Sequence, residues 1–423
     1  MLSIRTITEQ KEMVISRLAV KNFNASAIVE EIISLDKDKR AVQTELEKSQ
    51  ATINELSRQI GQFFKEGKTD EANAAKEKTG ELKDRIKMLN EETAKLDSLL
   101  HEKVLLLPNI PHESVPAGKS SEQNLLVRTS GEVKKEDGLL PHWDLAKKYE
   151  LIDFELGTKI TGAGFPVYKG KCAKLQRALI NFFLDEAISA GYNEVIPPYM
   201  VNEDSAYGTG QLPDKEGQMY HVQADNFYLI PTAEVPVTNI FRDVILEASR
   251  LPLKYTAFTP CFRREAGSYG KDVRGLNRLH QFDKVEIVHI EHPERSYQAL
   301  EEMVIYVESL VKKLELPYRI IKLCGGDLSF TSALTYDFEV YSKAQQRWLE
   351  ISSVSNFESF QSNRLKLRFK DAGEKKTQLA HTLNGSALAL PRIMAALMEN
   401  NQTDAGIKIP KAITAYTGFD IIG

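Results

Sequence analysis

Two heptad runs separated by a glycine turn most constrain what this chain can fold into. Ile32, Lys39, Leu46, Ile53 and Ile60 recur every seventh residue, and so do Leu35, Val42, Ser49, Leu56 and Phe63. Apart from Lys39 and Ser49 these positions are apolar, the spacing of a coiled-coil seam. The pattern stops at Gly67-Lys68-Thr69-Asp70 and resumes with Ala72, Ala75, Leu82, Ile86, Leu89, Leu96 and Leu100. Two long helices joined by a short turn predict an antiparallel hairpin, each arm roughly 50 Å long at about 1.5 Å per residue. Such a pair buries little, so it is expected to project from a larger body. Its mixed charges leave two readings open. One is a solvated helical pair or dimerisation arm. The other is an RNA-gripping arm with Lys37, Lys39, Arg40, Lys48, Arg58, Lys76, Lys78 and Arg85 as phosphate contacts.

A chain of 423 residues has room for a second, larger domain. Pro and Gly recur from Pro108 and Pro111 to Pro116 and Gly118, which predicts a linker over 107–120 after a first domain at 1–106. With 55 basic and 59 acidic side chains the net charge is −4, so a nucleic-acid binder of this kind must concentrate its cations locally. Cys172, Cys261 and Cys324 have no paired spacing, as expected of a reducing, cytoplasmic protein. The histidines form no ligand cluster for a structural zinc. The start, MLSIRTITEQKEMVISRLAV, lacks a signal-peptide core, and no run approaches a membrane span, so no membrane contact is expected.

A second stretch carries chemistry: TAFTPCFRREAGSYGKDVRGLNRLHQFDKVEIVHI, residues 256–290. Both ends have strand composition. Between them a loop sets Gly267, Gly270 and Gly275 among Lys271, Arg274 and Arg278. Arg263 and Glu265 stand two apart, so strand alternation predicts one face for both, and Phe282 and Glu286 likewise share a face. A guanidinium, a carboxylate and an aromatic ring beside a basic loop suit a nucleotide, because arginine forks onto phosphate oxygens and a ring stacks on a base. The plainer alternative is a surface hairpin with solvated charges.

From about residue 121 the composition predicts an α+β domain. Residues 173–191 read as an amphipathic helix with Leu175, Leu179, Phe183 and Ile188 near one face, and 192–198 as a strand stopped by proline. A loop at 208–213 precedes a strand at 227–230, which ends at Thr232-Ala233-Glu234; alone, this triplet suits a helix N-terminus capped by Thr232. A helix at 297–314 and strands at 318–323, 337–341 and 347–353 follow. The last of these carries Glu350-Ile351-Ser352-Ser353 at its end. Its carboxylate and hydroxyl suit Mg²⁺ held mainly by substrate phosphates, or it is a solvated strand end. Finally His381 to Arg392 leads into a helix reaching about Asn400, with Pro391 acceptable in its first turn.

The run from Phe262-Arg263-Arg264-Glu265 through His280-Gln281-Phe282-Asp283-Lys284-Val285-Glu286 closely resembles motif 2 of the class II aminoacyl-tRNA synthetases, specifically the seryl-tRNA synthetases of bacterial type. Residues 173–198 resemble motif 1, which builds the dimer interface in class II enzymes. Residues 381–392 and the helix after them resemble motif 3, with Ala387 and Pro391 where glycine is usual, and Phe357 follows Ser355-Asn356 where the family often has cysteine. The resemblance runs from arm to motif 3 in the family's order. It implies an antiparallel catalytic sheet over 121–423, an N-terminal tRNA-binding coiled-coil arm and a cytoplasmic homodimer. The implied reaction joins L-serine and ATP as seryl-adenylate, then passes the seryl group to the 3′ end of tRNA(Ser), and of tRNA(Sec) where that exists.

By the same resemblance Arg263, Glu265 and Arg392 are catalytic. ATP is bound by Arg263, Arg264, Glu265, Leu279, Phe282, Glu350, Ile351, Ser352, Ser353 and Arg392. Mg²⁺ is held by Glu350 and Ser353. L-serine lies among Thr232, Ala233, Glu234, Glu286, Thr382, Asn384 and Ser386. Threonyl and prolyl enzymes are the nearest rivals, but they usually carry an anticodon-binding domain after motif 3, where this chain has only 401–423. A carrier-protein ligase would not be expected to keep the arm. A scaffold with a dead catalytic fold would not be expected to keep Arg263, Glu265, Glu350 and Arg392.

Overall fold

A computed structural model of the chain describes residues 1–133, 136–214, 216–266 and 274–423. It divides into two compact units, Met1–Ile110 and Pro111–Gly423.

In the first unit two short helices, Ile4–Glu9 and Lys11–Val20, precede α1 (Ser26–Lys65) and α2 (Thr69–Leu105), which pack against each other along their length. The turn between them is narrower than the four residues expected, since Thr69 and Asp70 already belong to α2. Gly67 takes φ 71, Lys68 N–H bonds Phe63 O at 2.9 Å, and Gly67 N–H bonds Phe64 O at 3.3 Å. This left-handed closure satisfies the last carbonyls of α1 and explains the glycine. Every seam position anticipated above is buried or half-buried. Thr79 and Thr93 fill the gaps in the second run. Each bonds the carbonyl four residues back, at 2.7 and 2.8 Å, so neither hydroxyl needs a partner across the seam. Ile32, Leu89 and Leu100 are fully buried, whereas Ile53, Leu56, Ile60 and Phe63 are only half-buried. The large seam residues of α1 are thus less completely covered toward the turn, while the small Ala72 and Ala75 of α2 are buried there.

The second unit is built, among its described residues, on an eight-stranded sheet. Its strands are β1 (Leu125–Ser130), β2 (Asn193–Glu194), β3 (Leu253–Phe262), β4 (Gln281–Glu291), β5 (Tyr318–Lys322), β6 (Leu334–Ser342), β7 (Arg347–Glu358) and β8 (His381–Ala389), in the order β1-β5-β6-β7-β8-β4-β3-β2. Pairing is antiparallel except between β2 and β3. The middle strands read almost without exposed residues because both faces are covered. Helices α3 (Gly170–Ser189), α4 (Ser296–Lys313) and α5 (Leu390–Asn400) pack against the sheet, and Pro391 sits in the first turn of α5 as anticipated.

Four expectations need correction. Ile188 is 47% exposed, not on the buried face; it follows Leu179 by about two and a half turns, which puts it on the opposite side of α3. The strand expected over 192–198 pairs only at β2 and through Val195 N–H to Thr256 O at 2.9 Å, and stops there because Pro197 and Pro198 have no N–H to donate. Gly208 and Thr209 are not loop but the end of a helix, Glu203–Thr209, stopped by Gly210 at φ 92. Ser353 is not a strand end, since β7 runs on to Glu358.

Candidate active site

One face of the sheet forms the floor of a cavity of about 690 Å³. Strand alternation supplies the floor two residues at a time: Phe282, Lys284 and Glu286 from β4, Thr335 and Asp337 from β6, Ser353, Ser355 and Phe357 from β7, Asn384 and Ser386 from β8. Register sets Glu286 opposite Ser386 and Asp337 opposite Ser353. Thr232 and Glu234 enter from the start of a helix, Glu234–Asn239. The residue at the cap position is Ala233, which has no side-chain acceptor, and Thr232 one residue earlier supplies the expected bond: its Oγ1 accepts from Glu234 N–H at 3.3 Å.

Buried acid and base crowd one end. Lys284 Nζ donates to Thr232 Oγ1 at 2.9 Å and pairs with Glu286; Thr232 Oγ1 donates to Glu286 Oε2 at 3.2 Å. Gln361 Nε2 donates to Glu234 Oε1 at 2.5 Å, while Thr382 Oγ1 donates to Gln361 Oε1 at 2.6 Å. Burial pushes the Glu234 carboxyl up to about 7, the Glu286 carboxylate adds to the shift, and Gln361, Lys284 and Arg263 oppose it. Glu234 is thus a buried acid without enough positive charge to hold it ionised, a natural seat for a bound cation.

Arginines also line the wall, Arg263 next to this cluster and Arg392 on other partners. Arg263 Nε donates to Pro231 O at 3.3 Å, and its guanidinium lies 5.2 Å from the centre of the Phe282 ring. Arg392, in the first turn of α5, donates to Glu350 O at 2.8 Å and to Asn277 O at 3.1 Å. Arg278 pairs with Glu265 at 3.3 Å. Glu350 is about half exposed, but Asp337 beside it is buried, and its Oδ1 has no partner among the described residues. Burial raises the Asp337 carboxyl well above the usual range and the Glu350 charge raises it further, against a bond from Ser353.

The cavity wall brings together Arg263, Glu265, Leu279, Phe282, Glu350, Ile351, Ser352, Ser353 and Arg392 with Thr232, Glu234, Glu286, Asn384 and Ser386. Arg263 and Glu265 reach it for a reason other than strand alternation: β3 ends at Phe262, and Glu265 takes φ 50. Three residues named from the sequence are placed elsewhere. Arg264 is exposed, with its backbone N–H on Gln218 O; Ala233 packs in an apolar cluster with Val237, Ala257 and Val288; Thr382 reaches the cavity only through Gln361. Gly267, Gly270 and Lys271 lie outside the described residues. Sequence reasoning missed Lys284, Asp337 and Gln361. Lys284 alternates with Phe282 and Glu286 on the same strand, which was its signal; Asp337 had none, because no residue of β6 was singled out. Gln361 had none, since it meets Glu234 only through the fold.

Comparison with known proteins agrees across the chain. Residues 1–111 match the seryl-tRNA synthetase N-terminal domain, and residues 220–401 match the tRNA synthetase class II core domain (G, H, P, S and T). A serine–tRNA ligase from Salinibacter ruber is 51% identical, with 100% of this chain and 99% of the relative covered. One from Chlorobaculum parvum is 45% identical, with 100% of each covered. The crystal structure of a seryl-tRNA synthetase from Pyrococcus horikoshii complexed with ATP superposes with a TM-score of 0.94 at 34% identity, covering 100% of this chain and 99% of that one.

Proposed function

Since the chain belongs to the seryl-tRNA synthetases, ligases that join serine to tRNA with ATP, we propose that its cavity is divided into a serine end and an ATP end. The observation that carries this division is that the buried cluster of Glu234, Glu286 and Lys284 and the Arg392 guanidinium, bonded to Glu350 O and Asn277 O, share no partner on the wall among the described residues. Arg263, bonded to Pro231 O and close enough to act on Glu234, stands next to the first cluster. The serine ammonium meets Glu234, whose carboxyl lacks compensating charge; Glu286 already has Lys284. The hydroxyl lies among Thr232, Glu286, Asn384 and Ser386.

The serine carboxylate attacks the α-phosphorus of ATP itself, so a phosphorus–oxygen bond forms as the bond to pyrophosphate breaks, and no side-chain nucleophile is needed. The protein contributes positioning and charge. Arg263 steadies the α-phosphate, Arg392 holds the γ-phosphate end, Glu265 orients ATP, and adenine stacks on Phe282 beside the backbone of Leu279. The oxygen donors Glu350 and Ser353, next to the unpartnered Asp337 Oδ1, fit Mg²⁺. When bound there, the ion offsets phosphate charge and eases departure of pyrophosphate. In the second step a ribose hydroxyl at the tRNA 3′ end attacks the seryl carbonyl and AMP leaves. The acceptors are tRNA(Ser) and, where present, tRNA(Sec), gripped by α1 and α2, in the cytoplasm.

The working form is a homodimer. Ile188, Ile196 and Met200 flank the edge strand β2 and are 47%, 82% and 51% exposed, an apolar surface that a second copy would cover. Among the described residues no helix is long and apolar enough to cross a membrane. The test is ATP–pyrophosphate exchange with serine, alanine and threonine. Alanine leaves buried polar groups unpaired and is expected to lose about 10⁴-fold in kcat/KM, whereas threonine is excluded only by crowding. Comparable values for alanine and serine would overturn the serine end.

A further inference from the structure

Behind the ATP end lies a buried network that none of the roles above uses. His142 opens a short helix, His142–Lys148, and Glu399 sits near the end of α5; both are fully buried. His142 Nε2 accepts the backbone N–H of Leu276 at 2.8 Å. An acceptor at Nε2 places the ring proton of the neutral imidazole on Nδ1, which then donates to Glu399 Oε1 at 2.6 Å. The His142 backbone N–H bonds the same oxygen at 2.9 Å. Ser342 Oγ and Gln345 Nε2 complete the carboxylate, the latter at 2.9 and 3.1 Å. Gln345 Oε1 accepts from Asn277 Nδ2 at 3.0 Å, and Asn277 O accepts from Arg392 Nε at 3.1 Å.

The network thus grips the segment in which the chain returns from the motif 2 loop to β4. Gly275, at φ 65, lies so close that a Cβ there would come within 2.2 Å of His142 Nε2. Just beyond it Leu276, Asn277 and Leu279 all line the cavity, as does Arg392. His142 itself does not reach the wall.

We propose that His142, oriented by Glu399, is a positioning residue for ATP binding: its Nε2 holds the Leu276 N–H and so sets the return segment 274–279 against the nucleotide. This rests on the ATP end proposed above. The return segment is anchored by the buried Leu276 and Leu279 and by Arg274 over the Trp143 ring, and among these contacts His142 Nε2 is a buried acceptor aimed at its backbone. Glu399 fixes the tautomer, as a carboxylate does for a histidine that must present a lone pair. The Glu399 carboxylate is held as an acceptor by the His142 side chain and backbone N–H, by Ser342 and by Gln345.

Two substitutions separate this role from packing. An asparagine amide reaches about as far as Nδ1, so His142→Asn keeps a donor for Glu399 and loses the acceptor for Leu276. A glutamine amide reaches about as far as Nε2, so His142→Gln keeps that acceptor. His142→Asn is expected to raise KM for ATP roughly tenfold or more, with KM for serine nearly unchanged and with faster amide exchange in the peptide covering 274–279, measured without ligand. His142→Gln should recover most of both effects. Equal ATP effects in the two variants, a parallel rise in KM for serine, or unchanged amide exchange in His142→Asn would overturn the proposal. If His142→Asn does not fold, Gln345→Leu cuts the Asn277 link together with the bonds from Gln345 to Glu399; it should raise KM for ATP by a smaller factor with KM for serine nearly unchanged, and no change would equally overturn the proposal. Failure of the ATP end itself shows differently, as normal ATP kinetics in an Arg263→Ala enzyme, while the ligand-free exchange measurement still reports on His142.

Discussion

On the arm, Arg85 reaches Glu45 at 2.7 Å with the two side chains 44% and 49% exposed, whereas in the catalytic unit Lys284 meets Glu286 with both nearly buried. The chemistry of the two pairs is the same and their environments are opposite. In water the Arg85 pair is worth about 1 kcal/mol or less and exchanges partners readily. In the cavity a charge without its counterpart shifts its own pKa instead, as Glu234 does. The arm therefore offers cations that can move to a phosphate, and the cavity offers charges fixed in advance for a small substrate. Lys39 with Asp97 is a second pair between α1 and α2, Arg40 pairs within α1 with the buried Asp36, and Lys76 lies 4.6 Å over the Phe64 ring. Lys37, Lys48, Arg58 and Lys78 are exposed on the same helices.

The sharpest break between the regions is to remove one. Deleting 32–100 with a short linker in place should reduce tRNA charging to background and leave serine-dependent pyrophosphate exchange largely intact, because every residue proposed to meet ATP or serine follows Pro231. Exchange, charging and dimer mass measured on one sample decide it. Undiminished charging would remove the arm's proposed role, and joint loss of both activities with a monomeric product would make the arm a dimerisation device.

Within the cavity, one fixed charge should matter more than any charge on the arm. Arg263→Ala is expected to lower adenylate formation about 10²–10³-fold in a folded protein, the usual effect of losing one preorganised charge contact. Near-normal exchange would refute the assignment of Arg263.

A pH series probes the same fixed charges without mutation. Glu234 is raised to about 7 in the ligand-free protein, so it is largely protonated at pH 6. A bound ammonium favours the ionised form, so binding must release a proton below pH 7. KM for serine should accordingly rise as pH falls from about 7 to 5, by up to roughly tenfold per unit. For stability the sign is the reverse: a raised acid contributes fully below its unfolded value and loses that contribution as pH rises through about 7. Glu234→Gln should flatten both dependences. A KM for serine independent of pH over this range would exclude Glu234 as the ammonium's partner.

Periodicity explains what was legible in the sequence. The heptads announce the hairpin because a seam repeats its own rule over many turns, and only the turn residues needed local geometry to refine. On the sheet, period two brings Phe282 and Glu286 together as expected and would have delivered Lys284 by the same rule; a strand lysine reads as solvated until the surrounding strands are known. Ile188 falls off the buried face because nine residues after Leu179 make about two and a half helical turns, not a whole number. Glu265 reached the cavity although its strand had ended, through a left-handed residue that no pattern announces. His142, Glu399 and Gln361 could not be found at all, since each acts through a partner more than a hundred residues away.

The smallest effect tests the arm's exchangeable charge directly. If Arg85 moves from Glu45 to a tRNA phosphate on binding, Glu45 competes with the tRNA for it. Glu45→Gln then removes the competitor and keeps the helix propensity and shape. Affinity for serine tRNA should rise by about twofold to fivefold at low salt, within the worth of one exposed pair, and the gain should vanish at a few tenths molar salt as screening weakens both contacts. Arg85→Ala should do the converse, weakening binding and reducing the slope of log affinity against log salt by about one. Serine-dependent pyrophosphate exchange should not change in either variant, since neither side chain belongs to the catalytic unit. A gain that persists at high salt would mean that Glu45 acts on helix packing, not on Arg85. An unchanged salt slope in Arg85→Ala would leave the Arg85–Glu45 pair a link between α1 and α2 and nothing more, and would shift the phosphate contacts to the exposed lysines.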